Sequence, residues 1–223
     1  MVSAAARIAL PLVVFLVSCA PMALLPLATP LLSITLASRG GDTETSRLIA
    51  ELEKKQDWST LKQLAQAHIA RRGDDEDWLM VLGYAQARLG EYAPASETFA
   101  RMVRRSPEEI DGWNMLGEAQ RLNGRYAEAA HTLQRATAID PTSPITRYLL
   151  GEALRGDGRL EHAKMAYREA LRLEPRFAPA WLGLGTVLVA TGPQDELKAV
   201  LEQLELLDPA LARELARRQA ANK

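Results

Sequence analysis

Trp113-Asn114-Met115-Leu116-Gly117, then Gly124-Arg125-Tyr126, Ala129, Leu133, Ala136 and Asp140-Pro141 mark one stretch whose residue types return along the chain. Displacing the sequence by thirty-four residues superposes Gly83, Gly117, Gly151 and Gly185. It also superposes Gly90, Gly124, Gly158 and Gly192, and Pro107, Pro141, Pro175 and Pro209. Three unbroken series sharing one period point to stacked repeats and not to a single-core globule.

Each mark has a mechanical reading. Gly83, Gly117, Gly151 and Gly185 fall inside helical patterns, where glycine costs about 1 kcal/mol against alanine. A cost repeated four times in register points to close approach of a second helix, with Ala95, Ala129 and Ala163 expected opposite. In the last copy Leu197 stands in that series, and Leu204 replaces Ala136 and Ala170 of earlier copies, so the seam there is expected to pack differently. Gly90, Gly124, Gly158 and Gly192 are expected to end helices in the left-handed conformation, and the four prolines to stop the second helices.

The pattern resembles the tetratricopeptide repeat, W-x2-L-G-x2-Y followed by A-x3-F and a closing proline, over about Asp77 to Pro209. The tyrosine of that pattern is replaced by Gln86, Gln120, Leu154 and Leu188. The resemblance implies an all-α fold, a right-handed superhelical solenoid of antiparallel helix pairs.

First helices are expected over Glu76–Leu89, Ile110–Asn123, Ser143–Arg155 and Ala178–Ala190. Second helices are expected over Tyr92–Arg105, Tyr126–Ile139, Leu160–Leu173 and Gln194–Leu207, with Trp113, Trp181, Phe99, Leu133, Tyr167 and Leu201 filling the seam. The repeats divide as 76–109, 110–143, 144–177 and 178–209. Residues 46–73 read as a degenerate first repeat without the glycine and proline marks, and 210–223 as a capping helix and tail.

The N-terminus is different in kind. Thirty-one residues from Ile8 to Ser38 carry no charge; as one helix they would be about 46 Å long, more than a hydrocarbon core of about 30 Å. Pro11, Pro21, Pro26 and Pro30 interrupt them. Two readings of residues 1–39 stay open. Arg7, the run Ile8–Val17 and Leu16-Val17-Ser18-Cys19 resemble a secretory signal ending in a bacterial lipobox, which implies lipidation at Cys19. Ala20 after the cysteine then points to the outer membrane. The apolar continuation from Ala20 to Ala37 instead fits an uncleaved inner-membrane signal anchor. Both attach the chain to a membrane and place the repeats in the periplasm. Residues 40–45 form a polar linker, with a helix expected to start near Ser46.

The balance of 27 basic and 28 acidic residues gives no electrostatic reason to expect nucleic acid. One cysteine excludes an internal disulfide. His68, His131 and His162 are too scattered for a metal site, no nucleophile has a histidine partner, and no phosphate loop occurs. Neither catalysis, a metal nor a cofactor is expected.

Binding remains. The resemblance implies a groove lined by the first helices, at Asp77, Met80, Tyr84 and Arg88, then Asn114, Glu118 and Arg121, then Tyr148, Glu152 and Arg155, and finally Leu182, Thr186 and Val189. Glu118 with Arg121, and Glu152 with Arg155, are spaced to pair with each other as readily as with a ligand. Lysines are missing from this groove, which argues against the carboxylate clamp of chaperone-binding relatives. The expectation is an exported scaffold for a peptide or helix of another envelope protein, of the kind serving pilus or secretion assembly or cytochrome c maturation. The alternative is a self-associating array, motivated by the apolar run Leu182, Leu184, Val187, Leu188 and Val189.

Overall fold

The computed structural model describes residues 43–222. The 1–39 segment, Cys19 included, lies outside the described residues. Those described form eleven helices and no strand. They are α1 (Thr43–Lys55), α2 (Trp58–Arg72), α3 (Glu76–Arg88), α4 (Tyr92–Arg105), α5 (Ile110–Leu122) and α6 (Tyr126–Ile139). There follow α7 (Pro144–Gly156), α8 (Leu160–Leu173), α9 (Ala178–Thr191), α10 (Gln194–Leu207) and α11 (Pro209–Ala221). None of these is long and apolar enough to cross a membrane. The helix starting near Ser46 in fact begins at Thr43, inside the expected linker, with Glu44 in its first turn where the helix dipole favours an acid.

Three of the turns within pairs are glycine stops. Gly90, Gly124 and Gly158 have φ of 77°, 76° and 77°. The amides of Glu91, Arg125 and Arg159 return to the carbonyls of Gln86, Gln120 and Leu154, closing the last turn of each first helix. The first pair keeps this turn without its glycine: Gln56 stands thirty-four residues before Gly90, has φ of 55°, and the Asp57 amide returns to Leu52. A non-glycine residue in this region is strained by about 1 kcal/mol. Gln56→Gly is therefore expected to raise stability by about 0.5–1 kcal/mol, read from urea unfolding, while the same change at solvent-exposed Gln134 inside α6 lowers it.

The fourth turn corrects the expected series. Gly192 is extended, with φ −100° and ψ 163°, because Pro193 follows it and a residue before proline is pushed out of the helical regions. After the second helices, Asp140, Glu174 and Asp208 are extended for the same reason, each preceding a proline, and Ser106 before Pro107 likewise leaves the helical region, with φ −130° and ψ 75°. Asp208 also caps α11, accepting hydrogen bonds from the amides of Ala210 and Leu211.

The helix glycines do mark close approach, but large side chains press on them. A Cβ on Gly83 would stand 2.6 Å from the Phe99 ring, on Gly117 2.5 Å from Leu133 Cγ, and on Gly151 2.6 Å from the Tyr167 ring. Helical side chains lean towards their own N-terminus, so the residue covering the glycine lies a turn beyond Ala95, Ala129 or Ala163. Tyr167 is shared, since a Cβ on Gly183 would stand 2.5 Å from the same ring. In the last pair α11 takes over: Leu215 Cδ2 would lie 2.3 Å from a Cβ on Gly185, and Leu201 is only half-buried. Trp113 and Trp181 are also half-buried, and their indole N–H groups donate to the carbonyls of Pro107 and Pro175, pinning each copy to the loop before it.

α5 touches α7 and α7 touches α9 across the intervening second helix, whereas the second helices make no comparable contact with one another among the described residues. From α5 to α9 the first helices are thus drawn together and the second helices splayed. The array bends with its first helices inside.

Candidate functional site: the inner face of the first helices

Close stacking of the first helices buries much of the face expected to be open. Tyr84, Asn114, Glu118 and Tyr148 are buried, while Asp77, Met80, Arg88, Arg121, Glu152, Arg155, Leu182, Thr186 and Val189 keep part of their surface.

At the N-terminal end, Tyr84 meets the Trp58 ring edge-on at 5.6 Å between centroids. Arg88 donates to the Tyr84 hydroxyl at 3.1 Å and lies 4.3 Å over Trp58, an arrangement that holds the guanidinium on an aromatic face. Burial pushes the Tyr84 hydroxyl above its ordinary value. Trp58, on α2, is a part of this cluster that spacing along the first helices does not show.

The middle is a ladder of paired charges. Glu118 takes a two-pronged bond from Arg121, with Nε and Nη2 each 2.7 Å from a carboxylate oxygen. Glu152 repeats the pattern, accepting from Arg155 Nη2 at 2.8 Å and also from the Tyr167 hydroxyl. Burial disfavours the Glu152 charge, but the hydrogen bond and charge of Arg155, with help from Tyr167, hold its carboxyl below the ordinary range. Burial likewise opposes the charges of Arg121 and Arg155, and their glutamates outweigh it, so both stay protonated. Tyr148, buried beside Glu152 and Glu118, is pushed well up. It also meets Phe177 edge-on at 5.4 Å. Asn114 is spent on the next copy, its Oδ1 accepting from Thr146 at 3.0 Å.

The C-terminal end is covered. Arg218 of α11 donates to Thr186 at 2.9 Å, and Asn222 donates to the Val189 carbonyl at 2.9 Å. The run that motivated self-association is mostly core: Leu184, Val187 and Leu188 are buried within the chain. The substituted tyrosine position has a role of its own in two copies. Gln86 accepts from Thr98, and Gln120 from Thr132, both at 2.8 Å, clasping first helix to second. In the next two copies the same twelve-residue spacing holds Leu154 and Ala166, and Leu188 and Val200, all buried in one apolar cluster. The recurrence of Gln and Thr at one spacing was the available signal.

Among the described residues no three of His, Cys, Asp and Glu are grouped to hold a metal. Two family models, both described as tetratricopeptide repeat, match residues 80–144 and 146–177. These residues are tetratricopeptide repeats. The repeats make the chain a scaffold for protein–protein interaction.

Solved structures share the fold at low identity. A thermophilic TPR protein of Thermus thermophilus is 22% identical, covering 79% of this chain and 95% of its own, with a TM-score of 0.63. A MamA crystal structure is 20% identical over 78% of this chain and 96% of its own, also at 0.63. MamA residues 41 to the end from Desulfovibrio magneticus RS-1 are 23% identical over 86% and 94%, at 0.57. A Thermobaculum terrenum O-GlcNAc transferase variant matches 58% of this chain at 24% identity and 0.54, which spans only 26% of the transferase. No curated protein matches the sequence.

Proposed function

We propose that this repeat protein is a non-catalytic, membrane-tethered scaffold that holds a peptide or helix of another cell-envelope protein on its inner face. The observation carrying the reading is the division of that face. Its charges are satisfied internally along Glu118–Arg121 and Glu152–Arg155, and its C-terminal end is closed by α11. At the other end Met80 keeps part of its surface and offers an apolar contact, with Asp77 and Arg88, also half-buried, on the same helix. A client helix with one apolar anchor flanked by mixed charge suits that end. Tethering rests on the uncharged stretch Ile8–Ser38, with Cys19 the residue for lipid if the segment is cleaved and an uncleaved anchor otherwise. Either places the repeats in the periplasm.

Met80→Glu is expected to weaken co-purification of the client from membranes at least tenfold; because the Met80 side chain also packs against the core clusters on either side of it, far-UV circular dichroism checks that the variant is folded. Retention of the client by this variant would move the site elsewhere. Mass spectrometry of the purified chain separates the two tethers: a lipidated N-terminal Cys19 supports the lipoprotein, and intact residues 1–18 support the anchor.

A further inference from the structure

Glu53 breaks the charge pattern of the inner face. Counting by thirty-four, it occupies the position of Ala87, Arg121 and Arg155, and three residues before it stands Ala50 where the two arginines have Glu118 and Glu152. Glu53 therefore lacks the partner on its own helix that the later copies have, and its Oε1 is buried with no hydrogen bond. The groups on α3 whose electrostatics couple to it are Arg88 and Tyr84. Arg88 is engaged elsewhere, on the Tyr84 hydroxyl and the Trp58 ring. Of the other charges on α1 and α2, Lys55 is taken by Glu51 and Lys62 by Glu91, both at 2.6 Å, and Lys54, next to Glu53 in sequence, is exposed.

The helix that carries Glu53 is lightly held. Beyond Ile49 and Leu52 its buried face offers Ser46, whose hydroxyl is likewise buried without a partner. Its link to α2 is the strained Gln56.

We propose that α1 is a proton-governed cover on the N-terminal end of the inner face, closed while the Glu53 carboxyl is protonated and released when it ionises, uncovering Tyr84 and Trp58, which share one cluster with its Ile49 and Leu52. Burial raises this carboxyl from 4.5 to about 7, against the opposing pull of Arg88. A closed-state value above the open-state value means that protons favour closure. Closure is thus strongest below pH 4.5, weakens as pH climbs towards 7, and changes little beyond. That the uncovered end then receives a client rests on the function proposed above; the opening itself does not.

Hydrogen exchange on the full chain, corrected for intrinsic chemical rates, reads the opening without any client. Between pH 5 and pH 8 the amides of residues 49–55 are expected to lose protection about tenfold, with those of 163–171 unchanged. Glu53→Gln is expected to remove the dependence and keep α1 protected throughout; should that variant fail to fold, Glu53→Leu is read the same way. A flat wild-type profile in α1, or the same slope in the folded variant, overturns the proposal. Either result leaves the client-binding test above untouched.

Discussion

Tyr167→Ala is expected to cost about 3–5 kcal/mol, the largest loss of any single truncation in the array. The ring is fully buried and fills the space over two glycines, Gly151 in its own pair and Gly183 in the next, so its removal opens a gap between copies as well as within one. Neither glycine can grow to refill it. The phenol also donates to Glu152, and that bond can be separated from the packing. Tyr167→Phe keeps the ring and is expected to cost about 1.5–3 kcal/mol, typical of a bond to a charged acceptor. Urea unfolding followed by circular dichroism measures both. A loss below about 1 kcal/mol for the alanine variant, under the usual range for such a truncation, would show that the copies do not depend on this contact.

Glu152→Ala is expected to cost about 3 kcal/mol, towards the low end for breaking a buried pair because the Arg155 side chain keeps 28% of its surface. The loss comes from what is stranded, a guanidinium and a phenol with no acceptor. Replacing Glu152 and Arg155 by leucine together with Tyr167→Phe strands nothing, and that triple variant is expected to lie within about 1 kcal/mol of wild type. The pH profile gives a second reading. Since the folded carboxyl is held below 4.5, its contribution is complete above that value and is lost as pH falls further. Wild type is thus expected to lose stability below pH 4.5 more steeply than the triple variant. Parallel profiles would mean that the ladder contributes nothing to the fold.

The repeat marks made most of the architecture legible. Glycine and proline dictate backbone conformation locally, so α4, α6, α8 and α10 span the residues expected of them. The exceptions arise where a neighbour changes the local rule. Pro193 turns Gly192 out of the left-handed region, and Gln56 accepts strain to keep a turn whose glycine is missing. The inner face was less legible. A period says which positions are equivalent, but not which residues meet across copies. Thr146 on Asn114 and Arg218 on Thr186 join residues thirty-two apart, and α11 reaches back over a face it does not resemble. The i,i+3 pairing of Glu118 and Glu152 with their arginines could be read directly, because both partners lie on one helix. The missing partner of Glu53 becomes visible only once Ala50 is compared with those glutamates in a folded register.

The measurement bearing most directly on the scaffold reading compares the two faces of the array in its own membranes. A photoreactive residue is placed at Met80, half-exposed on first helix α3, or at Met165, 54% exposed on second helix α8. Tyr84 and Tyr148 are too buried to report on a client. One discrete protein adduct is expected from position 80 and none from position 165. An adduct from position 165 alone, or from neither, would contradict the assignment of the inner face as the binding surface.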